Sequence, residues 1–72
     1  MTPSQCRAAR ALLDWTQPDL AQASSLGLST VVDYERERRQ VSDDAVAAIQ
    51  RSLEKAGVEF TNGKRPGVRL RA

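Results

Sequence analysis

Apolar residues recur at the spacing of α-helices through most of the chain, and they alternate with polar residues near its C-terminal end. Repeats at i, i+3 and i+4 predict helices, whereas alternation predicts strands. The helical segments that this pattern indicates are 3–13, 17–24, 28–36 and about 43–56. Residues 58–72 are interpreted as a β-hairpin around the turn pair Asn62-Gly63. The predicted fold class is therefore mainly α, with four helices and a short C-terminal β-hairpin.

Residues that commonly cap helices stand directly before three of the four helical segments. They are Thr2, Thr16 and Ser42. Such side chains accept hydrogen bonds from the first N–H groups of a helix, which would otherwise have no partner. Gln5 follows Thr2 by three positions and completes the sequence of a capping box. Gly57 follows the fourth segment, at a position where glycine commonly ends a helix.

The inner faces of these segments would form one hydrophobic core. The helical residues assigned to it are Cys6, Ala9, Leu12, Leu13, Leu20, Ala23, Val31, Tyr34, Ala45, Val46, Ile49, Leu53 and Ala56. The hairpin residues expected to face the helices are Val58, Phe60, Val68 and Leu70. Cys6 lies on the apolar stripe of the first helix, so we interpret it as a small core residue, with a redox-sensing thiol as the alternative.

Residues 16–36 predict two short helices joined by a tight turn. The sequence Ser-Ser-Leu-Gly at 24–27 interrupts the helical pattern, and its apolar residue, Leu26, should point inward. The second of these helices would turn one face outward. The residues on that face are Leu28, Ser29, Val32 and Asp33, with Thr30 beside them. Short side chains at the N-terminal end of a helix can enter the major groove of DNA and contact base edges.

The chemistry of this outward face leaves alternatives open. Leu28 and Val32 could contact thymine methyl groups, or they could pack against a neighbouring element or a dimer partner. Asp33 would lie close to phosphates, which opposes binding, but its carboxylate could accept a hydrogen bond from cytosine N4. We hypothesise that Asp33 selects against wrong bases more than it adds affinity.

Three features of the N-terminal half carry a resemblance to a known family. They are Arg10, the motif Trp-Thr-Gln-x-x-Leu-Ala at 15–21 and the motif Ser-Thr-Val-x-x-Tyr-Glu at 29–35. Together they resemble the small Cro/repressor-type helix-turn-helix proteins of bacteria and their phages, which are lambda-repressor-like, or XRE-type. The resemblance covers residues 4–57 and implies a lambda-repressor-like four-helix helix-turn-helix domain. It also implies repression more often than activation.

The chain departs from the family pattern at the turn. Ser24 and Ser25 stand where the family often has Ala-Gly. Gly27 stands where the family often has Ser or Thr as the N-cap of its recognition helix, which is the helix at 28–36 here. Glycine is a slightly weaker cap than serine. Ser29 could therefore compete with Gly27 as the N-cap.

The resemblance also implies roles for charged and polar residues. Arg10 and Glu35 would form a partly buried ion pair, although two solvated charges are the alternative. Thr16 and Gln17, at the start of the second helix, would lie near the phosphate backbone. Three bases cluster just after the third helix. They are Arg36, Arg38 and Arg39. These arginines can contact phosphate or enter the minor groove, unless the loop is simply solvated.

Composition narrows the possible functions. Seventy-two residues correspond to one domain, so residues 1–57 and the tail at 58–72 are expected to belong together. The net charge of +2 would not by itself indicate DNA binding. The chain has no histidine and one cysteine, which excludes a cysteine-based zinc site and an intramolecular disulfide. No apolar run approaches the ~20 residues of a membrane span. We expect a cytoplasmic protein that is not an enzyme and needs no metal or cofactor.

The leading interpretation is a transcriptional regulator that binds double-stranded DNA sequence-specifically, with the helix at 28–36 in the major groove. One short helix reads few bases, so a homodimer on an inverted repeat is expected. The alternative is a protein-binding module, antitoxin-like or an anti-regulator, that keeps the fold without specific DNA binding. The open edge of the hairpin could pair with another subunit or carry its basic residues to DNA, and the sequence does not choose between these roles.

Overall fold

The computed structural model describes residues 1–71, which form four helices followed by a two-stranded antiparallel sheet. The helices are α1 (Pro3–Leu13), α2 (Gln17–Ser24), α3 (Leu28–Arg36) and α4 (Asp43–Lys55). The strands are β1 (Val58–Thr61) and β2 (Gly67–Leu70). The predicted fold class, mainly α with a C-terminal β-hairpin, is confirmed. Ala72, the last residue of the predicted tail, lies outside the described residues.

Side-chain caps fix where α1, α2 and α4 begin. Thr2 Oγ1 accepts a hydrogen bond from the Gln5 N–H at 3.1 Å, and Gln5 Oε1 accepts one from the Thr2 N–H at 2.8 Å. Thr16 and Asp19 form the same reciprocal pair at the start of α2, at 3.1 and 2.9 Å. Ser42 Oγ accepts from a backbone N–H in the first turn of α4. These side-chain contacts satisfy N–H groups that a helix leaves without partners.

A single hydrophobic core lies between the helices and β1. The buried apolar residues of this core are Cys6, Ala9, Leu20, Ala21, Val31, Ile49, Leu53 and Val58. Trp15, Leu26, Phe60 and Val68 are partly buried and pack against it. Cys6 is fully buried, as expected for a core residue.

The pattern overestimated the burial of several residues on the helices. Leu12 is exposed, because the inner face of α1 follows Cys6, Ala9 and Leu13. Ala23 is exposed, because the inner face of α2 follows Leu20 and Ala21. Tyr34 is only half-buried, and the fully buried neighbour of Val31 on α3 is the charged residue Glu35. A period of 3.6 residues identifies a stripe on a helix, but the neighbouring elements decide how wide a stripe they cover.

The end of α4 and the end of the hairpin also differ from the prediction. The helix ends at Lys55, one residue early, so Ala56 is the C-cap and is exposed. Leu70 is 47% exposed, whereas Val58, its partner across the hairpin, is buried. The difference arises because α4 packs against β1, which carries Val58, while β2 packs on α1.

Gln5 joins the hairpin to α1. Its amide Nε2 donates to the carbonyl oxygen of Thr61 at 2.9 Å and to that of Gly67 at 3.0 Å. Thr61 and Gly67 face each other at the turn end of the two strands, and the Gln5 side chain is buried. An isolated hairpin is marginally stable in water, so this contact helps to hold it on the helices.

A substitution in the turn after α2 should stabilise the protein. Among residues 1–71, three residues other than glycine have positive φ, and Ser25 is one of them, with φ 58°. Left-handed backbone costs an L-residue about 1–2 kcal/mol, which glycine avoids at the expense of greater freedom in the unfolded chain. We therefore expect Ser25→Gly to raise the free energy of unfolding by about 0.5–1 kcal/mol in urea titrations.

The matched control for this substitution is Ala23→Gly in the exposed interior of α2. The same added glycine should there lower the free energy of unfolding by about 1 kcal/mol. A loss of stability in both variants would contradict the role assigned to the backbone of Ser25.

Candidate nucleic-acid interface

Two helices and a tight turn form the centre of the candidate interface. α2 ends at Ser24 with Ser25 as its C-cap, and the Leu26 N–H donates to the Ala21 carbonyl at 3.0 Å, which reverses the chain. Leu26 packs against the core, as predicted for the apolar residue of the turn. α3 begins after Gly27, whose extended backbone takes the N-cap position. Gly27, and not Ser29, is therefore the N-cap of this helix.

A buried carboxylate anchors the inner face of α3. Glu35 is 1% exposed, although it is ionisable. Arg10 of α1 donates from Nε to Oε2 at 2.7 Å and from Nη2 to Oε1 at 2.8 Å. Gln17 Nε2 donates to Oε1 at 3.0 Å, and the Cys6 thiol donates to Oε2 at 3.2 Å. These donors connect α1 and α2 to α3. They also satisfy both oxygens of the Glu35 carboxylate, whose charge would otherwise be costly to bury.

The Glu35 cluster corrects the predicted position of Gln17. The sequence places this side chain near phosphate, but its amide nitrogen points inward to Glu35. The sequence also did not indicate that Cys6 donates to the Glu35 carboxylate or that Arg7 donates to the Glu35 backbone carbonyl. A buried carboxylate needs more donors than one arginine supplies, which was a signal that further polar partners exist. Their identity depends on how the helices cross.

The ionisation of the cluster follows from these contacts. Burial acts against the charged form of Glu35, but the hydrogen bonds from Arg10, Gln17 and Cys6 together outweigh it and hold the pKa of Glu35 below its ordinary value. Burial, followed by the adjacent Glu35 carboxylate, raises the pKa of the Cys6 thiol well above its ordinary value. Cys6 therefore remains a neutral donor, which argues against a redox-sensing thiolate.

Acid should destabilise the fold through Glu35. Since its pKa is lower in the folded protein than the ordinary value of 4.5, its stabilising effect is fully present above that pH and is lost as the pH falls through the folded value. We expect urea-unfolding midpoints to stay nearly constant from about pH 7 to about pH 5 and to fall below about pH 4.5. Glu35→Gln should be less stable at neutral pH and should show a weaker decline. Parallel declines in both proteins would contradict this assignment.

The face of α3 away from Val31 and Glu35 carries the residues expected to read bases. Leu28 is 46% exposed and Ser29 is exposed. Thr30, Val32 and Asp33 are half-buried. The helix thus offers a surface of short side chains near its N-terminal end, of a size that fits a DNA groove.

Arg39 lies against this face, which the sequence did not indicate. Its Nε is 2.8 Å from Asp33 Oδ2, and its Nη2 donates to Thr30 Oγ1 at 3.4 Å. The C-cap residue Glu37 has a left-handed backbone conformation, and its N–H donates to the Tyr34 carbonyl at 3.2 Å. The chain therefore turns at the end of α3 and brings Arg39 back to this face. The predicted phosphate-binding arginine and the predicted base-reading aspartate thus form one ion pair.

The remaining predicted contact residues lie on the surface around α3. Thr16 is exposed at the start of α2, where its hydroxyl oxygen caps the helix. Arg36 is exposed in the last turn of α3, and Arg38 is exposed in the following loop. The structure therefore places Arg36 and Arg38 at the C-terminal end of α3. The start of α2 lies beside the same end, because Gln17 contacts Glu35.

Within residues 1–71, no group of three or more His, Cys, Asp or Glu side chains is placed to hold a metal ion. None of the helices in that range has the length and apolar character needed to cross a membrane.

The α2–turn–α3 unit, with its outward helix held by a buried carboxylate, defines a helix-turn-helix domain of the DNA-binding class. A family model described as Helix-turn-helix matches residues 7–60. The chain therefore belongs to this helix-turn-helix family, of the Cro/repressor type that the sequence resembles. The family is one of DNA-binding regulators and not of enzymes. Comparison with curated proteins gives no match.

Proposed function

We propose that the protein is a transcriptional regulator that reads double-stranded DNA sequence-specifically, with α3 in the major groove. The observation that carries this proposal is the outward face of α3, which is lined by short side chains and against which Arg39 lies at Asp33, near the middle of the helix. The buried Glu35 cluster supports it, because it fixes the direction of α3 relative to α1 and α2 before DNA is bound. Such preorganisation lowers the cost of binding.

Each exposed group then has a part in the proposed contacts. Leu28, Ser29, Thr30, Val32 and Asp33 face the bases or orient groups that do. Thr16 and the backbone at Gln17 lie along the phosphates, since the N-terminus of α2 carries the positive end of a helix dipole. Arg36 and Arg38 contact phosphates beyond the C-terminal end of α3.

We further propose a homodimer that represses transcription by occupying an inverted repeat. α3 has nine residues and reaches few base pairs, so two copies are needed for a rare site. Half-sites would lie about 34 Å apart, or a multiple of that distance. The hairpin is the proposed contact between subunits, since its residue Leu70 is 47% exposed. The protein would act in the compartment that holds the DNA, which in bacteria is the cytoplasm.

Site selection from random duplex DNA tests this function. Purified protein is mixed with the library at physiological salt and excess non-specific competitor, and retained sequences are read. Enrichment of a two-fold-symmetric site is expected, with a sedimentation mass of two chains per duplex. A short asymmetric site would reject the homodimer and keep DNA reading. No enriched site from folded protein would reject the function and favour a protein-binding module.

A further inference from the structure

Arg39 lies in the loop after α3, and its side chain turns back to the outward face of that helix. The guanidinium group contacts Asp33 Oδ2 through Nε at 2.8 Å and Thr30 Oγ1 through Nη2 at 3.4 Å. Thr30 and Asp33 are three positions apart, so they are neighbours on the helix surface. The charged end of Arg39 therefore lies over the part of α3 that is proposed to face the bases.

The contact with Asp33 uses the Nε edge of the guanidinium group. The N–H groups at the far end of the guanidinium remain available to donate to another partner. Arginine has five N–H donors in a planar fork. Asp33 Oδ2 accepts a hydrogen bond from Nε–H, and Thr30 Oγ1 accepts one from an N–H group of Nη2. The end of the fork, formed by Nη1 and the other side of Nη2, can donate two parallel hydrogen bonds. In the major groove, the acceptors with that spacing are O6 and N7 of guanine.

A phosphate contact explains this geometry less well. Attraction to phosphate depends on net positive charge, which a paired carboxylate cancels. Reading a base depends instead on the direction of the donors, and a carboxylate that restricts the side chain improves that direction. The Arg39 side chain is 51% exposed and Asp33 is 22% exposed, so the end of the fork is accessible while its support is more enclosed.

We propose that Arg39 reads a guanine in the major groove of each half-site and that Asp33, with Thr30, positions it. This inference rests on the proposed function, because it requires α3 to lie in the groove. It assigns Asp33 a different role from the hypothesis that its carboxylate accepts a hydrogen bond from cytosine, since Oδ2 accepts from Arg39. Asp33 is a positioning residue, and Arg39 makes the base contact.

The test repeats site selection with substituted proteins beside the wild type. Arg39→Ala removes the fork, and Arg39→Lys keeps the charge but cannot donate in the same bidentate way. Asp33→Asn keeps the shape of the supporting side chain and removes its charge. Arg38→Ala is the matched control, because it removes an exposed arginine from the adjacent position. Circular dichroism and thermal melting establish that each variant is folded.

The wild type should enrich a guanine at one position of each half-site. Arg39→Ala should lose the preference at that position alone and should bind the wild-type site about 5- to 150-fold more weakly. Arg39→Lys should keep only part of the preference, because its ammonium group lacks the planar fork. Asp33→Asn should weaken the same preference and leave the other positions unchanged. Arg38→Ala should keep every preference and weaken binding to all duplexes alike.

Three other results would overturn the inference in distinguishable ways. If Arg39→Ala keeps all preferences, or loses one for A·T pairs, guanine reading is wrong while the proposed function stands. If Asp33→Asn keeps the full guanine preference that Arg39→Ala loses, the positioning role is wrong. If the folded wild type enriches no site, the proposed function fails and this inference fails with it.

Discussion

Arg10→Ala is expected to lower the free energy of unfolding by about 3–5 kcal/mol. The substitution would leave the Glu35 carboxylate buried, with Gln17 and Cys6 as its remaining side-chain donors. Both of those donors are neutral, so they cannot replace the positive charge. A domain of this length has a total stability on the order of 4–11 kcal/mol. The substitution should therefore remove a large part of the stability of the domain.

Two further proteins make this prediction decisive even if Arg10→Ala does not fold. Arg69→Ala breaks the exposed Glu59–Arg69 pair, whose atoms lie 2.6 Å apart, and should cost at most about 1 kcal/mol. The double variant Arg10→Met/Glu35→Leu removes both buried charges and should recover much of the lost stability. Urea titration followed by circular dichroism measures all of them. Equal losses for Arg10→Ala and Arg69→Ala would show that Glu35 is not an anchor.

Ser29→Glu should remove specific DNA binding without lowering stability. Ser29 is exposed as the second residue of α3, so a carboxylate there would face base edges and phosphates in the proposed complex. We expect the specific affinity to fall by at least about 100-fold, because a base contact is lost and a like charge is added. The same carboxylate lies near the positive end of the α3 dipole, which should stabilise the free protein by about 0.3–1 kcal/mol.

The matched control for Ser29→Glu is Ser4→Glu. Ser4 is also exposed and is also the second residue of its helix, α1, so the change of charge and the helix position are the same. It lies outside the proposed interface, so DNA affinity should fall only slightly, through the change in net charge. Fluorescence anisotropy with a labelled site measures both proteins. Equal losses of affinity would mean that the position on α3 is unimportant.

Local signals in the sequence accounted for most of the backbone. The caps at Thr2, Thr16 and Ser42 depend on residues within three positions, and the structure contains each of them. The turn at Leu26 was likewise predictable, because a lone apolar residue in a polar break has to be covered. Features of this kind are readable because the interacting groups are neighbours in the chain.

Features that depend on how the elements pack were not readable in the same way. Leu12 and Leu70 fit apolar patterns, but no described element covers them fully. The inward turn of Gln17 depends on the crossing of α1, α2 and α3 at Glu35. The pairing of Arg39 with Asp33 depends on the left-handed backbone of Glu37 at the end of α3, which no local motif predicts. The candidate site was therefore predicted as a set of residues but not as a set of contacts.

The most direct test of DNA reading is a ratio of two dissociation constants at physiological salt. One is measured for the duplex obtained by site selection, and the other for a duplex of the same length and composition with its bases shuffled. A sequence-specific regulator should bind the selected duplex at least about 1,000-fold more tightly. Equal constants for the two duplexes, from folded protein, would contradict sequence reading by α3.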